Sequence, residues 1–220
     1  MDPNPTLLHL YSYHPLQDSK CPAEECIPLY NPATNELIGL VPQSTPSELK
    51  EAEEGAQAAF KKWKEVPVQQ RQRVMFKFQA LIREHTEDLA ASITKEQGKT
   101  LPDARGDVFR GLEVVEATCH VGGSLMGETQ ENVSKGMDCY SYRQPLGVTA
   151  GICPFNFPAM IPLWMMSISP ACGNAIVLKP SEKDPGDLLI TFLIFPYISS
   201  QTHILLIFCL IPPLLWLLCL

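Results

Sequence analysis

Apolar positions along the chain fall into helical stripes over its first half and strand-like runs further on. A turn at Asn31-Pro32-Ala33-Thr34-Asn35 leads into a short strand over 36–41. Thr45-Pro46-Ser47-Glu48 then carries a helix start, because Thr45 can cap, Pro46 suits the first helical position and Glu48 completes a capping box. This helix runs to Lys64 with Leu49, Ala52, Ala56, Ala59, Phe60 and Trp63 on one face, and Pro67 breaks it. Val74, Phe78, Leu81 and Ile82 recur at i, i+4, i+7 and i+8 and predict a second helix. A third, around Leu89 and Ile93, stops at Gly98, a favourable C-terminal residue. The fourth starts near Pro102, presents Val108, Leu112, Val115 and Cys119, and ends at Gly122-Gly123.

From Tyr140 the pattern changes to strand, turn, helix, strand. Residues 146–153 are small, β-branched and apolar, as a strand buried on both faces requires. Pro154-Phe155-Asn156-Phe157-Pro158 forms a rigid turn, and 159–172 read as an apolar helix ended by Gly173-Asn174. Residues 175–179 give a second buried strand, closed by Pro180-Ser181-Glu182. A unit of this length is a βαβ crossover, the seed of a parallel sheet whose ligand site opens at the strand ends. Asn156 stands at the end of the first strand, and Lys179 with Glu182 at the end of the second. In dinucleotide-binding sheets that second position meets the adenosine ribose. Alone, Asn156 reads rather as a turn former between two aromatics, and Lys179 with Glu182 as a surface ion pair. The glycine fingerprint G-x-G-x-x-G is absent, so the pattern itself supports a nucleotide site of unspecified type.

Charge divides the chain sharply. Every Asp, Glu, Lys and Arg lies at or before Asp187, and residues 188–220 carry no formal charge. The net charge of -7, with no basic cluster beyond Lys61-Lys62-x-Lys64, argues against nucleic-acid binding. The eight cysteines are scattered and no secretory signal precedes them, so free thiols are expected. The first Arg is Arg71, and no Arg-rich transit peptide is visible. Residues 1–30 lack periodicity and read as an irregular arm. His9, His14, Cys21 and Cys26 in that arm match no common zinc-ligand spacing, so no metal site is expected. Gly98-Lys99-Thr100 looks like the end of a P-loop, but Ile93 stands where that motif needs glycine. Asn132-Val133-Ser134 is a sequon by form only.

Pro154-Phe155-Asn156-Phe157-Pro158 followed by Lys179-Pro180-Ser181-Glu182 resembles the paired cofactor motif of the aldehyde dehydrogenase superfamily. Asn31-Pro32-Ala33-Thr34, Glu96-Gln97-Gly98-Lys99-Thr100 and Pro145-Leu146-Gly147-Val148 match in the same order. Phe155 stands where many members have Trp. Residues 106–112 and 157–164 resemble the methylmalonate-semialdehyde dehydrogenases, the CoA-acylating branch. The resemblance implies an α/β fold in which N-terminal helices precede an incomplete Rossmann-type parallel sheet, covering 31–187, with the catalytic domain absent. It implies NAD as cofactor, an aldehyde substrate with CoA as acyl acceptor, and a homo-oligomeric, mitochondrial setting. Lys179 would hydrogen-bond the adenosine ribose, with Glu182 and Lys183 lining the pocket and Cys153 and Phe155 lying along the cofactor. Asn156 would donate its side-chain amide to the oxyanion formed when a thiolate attacks the aldehyde. The family's nucleophilic cysteine lies in a later domain, so Cys153 is not expected to act as one and this chain is expected to be inactive. Residues 188–220 match nothing in the family. They read as an unrelated apolar tail, more an aggregation-prone segment than a membrane span, since 204–220 is short and holds Pro212-Pro213.

Overall fold

The computed structural model describes residues 26–186 and the backbone of 206–208. Two strands, β1 (Cys26–Tyr30) and β2 (Leu37–Pro42), pair antiparallel around the Asn31 turn. Four helices follow: α1 (Pro46–Trp63), α2 (Val68–Glu84), α3 (Thr86–Gln97) and α4 (Leu101–Thr118). A single turn, α5 (Val121–Ser124), leads to the antiparallel hairpin β3 (Thr129–Ser134) and β4 (Met137–Tyr140). The chain then enters β5 (Val148–Ile152), α6 (Met160–Ala171) and β6 (Ala175–Lys179). β5 and β6 are parallel, in continuous register from Val148↔Ala175 to Ile152↔Lys179. The buried Asn174 side chain fixes that register, its Oδ1 accepting the Leu146 and Gly147 N–H groups at 2.6 and 3.0 Å.

β6 is buried along its whole length, and alternate side chains serve opposite faces as strand geometry demands. Ala175 and Val177 pack on Ala52 and Ala56 of α1, while Ile176 and Leu178 join the main core. That core runs through Phe78, Ile82, Leu89, Ile93, Val108, Val115, Leu163 and Met166, drawn from α2, α3, α4 and α6. Gly111 lets α4 and α6 cross closely: a Cβ there would sit 2.5 Å from Leu163 Cδ1 and 3.2 Å from the Met160 Cα.

Four features differ from the sequence expectation, the first being β5, read as buried on both faces but exposed at Ala150 and Ile152 because one of its faces is uncovered. Residues 26–30 form a strand inside the stretch read as irregular, and Cys26 is disulfide-bonded rather than a free thiol. The β3–β4 hairpin is exposed at every position, so it carries no apolar alternation to read. Leu206–Phe208, within the apolar tail, forms a third strand, β7, parallel to β6 and paired Ile176↔Leu206 to Leu178↔Phe208. The proposed membrane contact of the rest of 188–220, and His9, His14 and Cys21 in the rejected zinc pattern, lie outside the described residues. Among the described residues no helix is long and apolar enough to cross a membrane, and no group of His, Cys, Asp and Glu is placed to hold a metal.

Candidate functional site

The C-terminal ends of β5 and β6 bring together Cys153, Phe155, Lys179, Glu182 and Lys183. The ladder extends one residue past β5, with the Cys153 N–H donating to the Lys179 carbonyl at 2.9 Å. Lys179 is buried, and its ammonium donates to the Pro180 carbonyl and to Glu182 Oε2, each at 3.0 Å. Burial raises the Glu182 carboxyl, but its own backbone hydrogen bond and the Lys179 and Lys183 charges outweigh that and hold it below the usual range. The Lys183 ammonium lies over the exposed Phe155 ring, 4.5 Å from its centroid. Lys179 and Glu182 are therefore an ion pair, with the cation sunk in the fold.

Cys153 is buried, and desolvation pushes its thiol up to about 12 despite the nearby Lys179 charge. A thiol in that state is a poor nucleophile at neutral pH. Iodoacetamide at pH 7 is expected to alkylate the exposed Cys139 and to spare Cys153 in the folded chain. Mass spectrometry showing Cys153 modified first would contradict this reading.

Asn156 occupies an exposed turn that lies between β5 and α6. Among the described residues its side chain makes no hydrogen bond, whereas its backbone is held firmly. Lys99 Nζ donates to the Asn156 carbonyl at 2.9 Å, and Gln97 Nε2 to the Phe155 carbonyl at 3.3 Å. Lys99 also lies 4.6 Å from the centroid of Phe157 and pairs with Asp107 Oδ2 at 2.6 Å. The other Asp107 oxygen accepts the Met160 N–H at 2.8 Å, at the first turn of α6. Gly98, left-handed at φ 82°, ends α3 and turns the chain so that residues on either side of it reach these loops. The sequence marks Gln97 and Lys99 only as members of the motif 96–100 and Asp107 only within the stretch 106–112, without a role at this turn. Those two stretches are the available signal, and the contacts of Gln97 and Lys99 with the turn span more than fifty positions.

A further carboxyl pair supports the loop after β6. Glu96 is buried and accepts the Gly186 N–H at 2.8 Å; desolvation raises its carboxyl to about 7. Asp184 buries both oxygens without a full hydrogen bond, and desolvation, only partly offset by Ser181, raises it to about 8, with the neighbouring Glu96 adding to the rise. Both carboxyls hold a proton more tightly folded than unfolded. Their contribution is complete below about pH 4 and is lost as pH rises through about 7 and 8. The melting temperature is thus expected to fall between pH 5 and 8 by an amount that Glu96→Gln reduces, since glutamine keeps an acceptor for Gly186 without the charge. An identical pH slope in the variant would assign the dependence elsewhere.

The sequence profile of the aldehyde dehydrogenase family matches residues 19–199, and the chain belongs to that family. Within it, the similarity is to one branch. The chain is 58% identical over 160 residues to a methylmalonate-semialdehyde dehydrogenase [acylating], mitochondrial, of Arabidopsis thaliana, covering 73% of this chain and 26% of that one. It is 54% identical over 164 residues to the human methylmalonate-semialdehyde/malonate-semialdehyde dehydrogenase [acylating], mitochondrial, covering 74% of this chain and 31% of the human one. Among solved structures, a protein from Sinorhizobium meliloti 1021 assigned as a methylmalonate-semialdehyde dehydrogenase, in complex with NAD, superposes with a TM-score of 0.81 at 40% identity. That match covers 86% of this chain and 38% of the bacterial one. The chain thus spans about a third or less of the curated relatives quoted. The α/β fold is as the resemblance implied, with helices leading into a short parallel sheet.

Proposed function

We propose that this chain forms the NAD-binding part of a CoA-acylating dehydrogenase acting on methylmalonate and malonate semialdehydes, in a mitochondrial setting like that named for its relatives. The observation that carries the reading is the pairing of buried Lys179 with half-buried Glu182 at the strand ends, with Lys183 over Phe155 beside it. An ammonium has three donors. Two of those on Lys179 are used within the chain, which leaves one for the ribose hydroxyls of NAD. Phe155 offers an exposed ring face, and Cys153 contributes backbone and a small neutral side chain to the same wall. Lys179, Glu182 and Phe155 would hold NAD, which would supply the hydride acceptor for the oxidation.

Asn156 is the residue of this chain that meets the substrate. Its free side-chain amide donates to the oxygen of the aldehyde as that oxygen becomes negative, a contribution of about 3 kcal/mol to the transition state. The thiolate that attacks is not Cys153. Burial also raises the thiols of Cys119 and Cys172, and Cys139 sits on the exposed β4. Among the described residues the proposed role is therefore to bind the cofactor and to supply the Asn156 amide, with no thiol of theirs as the nucleophile. Isothermal calorimetry of the full chain with NAD tests the reading: saturable binding at one site is expected, and its absence in a chain that melts cooperatively would refute it.

A second role rests on the β3–β4 hairpin, which stands out with Val133, Met137 and Tyr140 exposed. Exposed strand edges with apolar side chains pair readily with another chain. A homo-oligomer formed through this hairpin is expected to dissociate, by light scattering, when Met137 and Tyr140 are both replaced by Lys.

A further inference from the structure

The geometry points to Lys99 and Asp107 as positioning residues that hold the Asn156 turn in place for its oxyanion contact. The inference rests on the proposed role of Asn156. Lys99 saturates its ammonium on three sides: the Asp107 carboxylate at 2.6 Å, the Asn156 carbonyl at 2.9 Å and the ring of Phe157 at 4.6 Å to its centroid. Asp107 in turn uses both oxygens, one on Lys99 and one on the backbone N–H of Met160 at 2.8 Å. A single carboxylate with no solvent exposure therefore anchors the turn through Lys99 and the start of α6 through Met160. The five residues from Asn156 to Met160 are pinned at both ends by one ion pair on α4 and the segment before it.

Burial of that pair is what makes the assignment more than a packing contact. Removing a carboxylate and an ammonium from water costs about as much as their attraction returns, so a buried pair contributes little to stability on balance. What it does contribute is direction. Charge-assisted hydrogen bonds are short and geometrically selective, and those of Lys99 end on the carbonyl of Asn156 itself. Gln97, two residues earlier, reinforces the hold at Phe155. The exposed side chain of Asn156 is thereby left free while its backbone is fixed, which is the condition a preorganised oxyanion donor requires. The residues lie 57 and 53 positions from their backbone partners, so only the folded chain brings them together.

The test is backbone amide relaxation of the full 15N-labelled chain. The Asn156 order parameter in the wild type is expected near about 0.85, falling below about 0.6 in Lys99→Met while the rest of β5 and α6 is unchanged. Lys99→Arg, which keeps a cation able to reach the carbonyl, should restore it. Asp107→Asn keeps an acceptor for Met160 and removes only the charge that anchors Lys99, so it should loosen Asn156 as well and decides the matter where Lys99→Met does not fold. An Asn156 already mobile in the wild type, or one equally ordered in folded variants, would overturn the inference. NAD binding, measured in the same samples, reports on the cofactor reading separately, because Lys179 and Glu182 do not touch Lys99 or Asp107.

Discussion

Replacing Trp63 by alanine is expected to cost about 3–5 kcal/mol of folding stability, the range for deleting a large buried aromatic side chain. Trp63 closes α1, is 1% exposed, and donates its indole N–H to the Pro170 carbonyl at 2.8 Å across 107 residues of sequence. Two losses combine in the substitution. The side chain vacates a close-packed volume beside the α2–α6 core, and the Pro170 carbonyl near the end of α6 loses one of its donors, keeping the Gly173 N–H at 2.9 Å. Loss of one neutral hydrogen bond from an acceptor that keeps another partner costs about 0.5–1.5 kcal/mol. Trp63→Phe separates the two, because it keeps most of the volume and removes only the donor. Urea denaturation of the three chains should therefore rank wild type above Trp63→Phe and Trp63→Phe above Trp63→Ala. Equal midpoints for Trp63→Phe and wild type would show that the Gly173 N–H alone satisfies the Pro170 carbonyl.

Helical parts of the fold were legible because their signals are local. At Thr45 the capping box forms as its sequence predicts: the Thr45 N–H donates to Glu48 Oε2 at 2.7 Å, and the Glu48 N–H to Thr45 Oγ1 at 3.3 Å. Gly98 ends α3 in the left-handed conformation that its place after the last apolar residue of the stripe implied. Strands without a buried face were not legible. Thr129-Gln130-Glu131-Asn132-Val133-Ser134 is exposed throughout, so nothing selects an apolar alternation there. β7 was hidden for the opposite reason. Leu206, Ile207 and Phe208 lie in a run so uniformly apolar that no three residues stand out as a strand, and pairing with β6 is settled by tertiary contact.

The candidate site divides along the same line. Position at the strand ends of a βαβ unit draws attention to Lys179, Glu182 and Asn156, and the family resemblance supplies the roles expected of them. Their supports are not marked in this way. Asp107 sits mid-helix on α4 among Val108 and Leu112, where an acidic residue would be taken for a solvated face, yet it has no exposure. Likewise Glu96 shows no sequence sign that the chain returns after ninety residues to place Gly186 against it. A buried carboxylate on an otherwise amphipathic helix is visible only once the partner that neutralises it has been located.

Lys179→Met is expected to weaken NAD binding by about 10- to 100-fold, corresponding to the loss of a charge-assisted hydrogen bond of about 1.5–3 kcal/mol. Methionine matches the length and apolar stem of lysine, so the strand end stays filled while the charge goes. The internal consequence runs the same way. Glu182, held low partly by Lys179, loses its main cationic partner and becomes a less ordered, more readily protonated wall of the pocket. Lys183→Met supplies the control, because the Lys183 ammonium faces the Phe155 ring from outside. An exposed cation–π contact is worth about 0.5–1 kcal/mol, and its loss should change affinity by about two- to fivefold. The ranking of the two variants by calorimetry is the decisive quantity, since both remove one positive charge and so alter long-range attraction for the cofactor equally. A larger effect at Lys179 assigns the ribose contact to the buried ammonium. Equal losses at both positions would mean that NAD is attracted by the positive charge of the loop as a whole, and that Lys179 serves chiefly to hold Glu182.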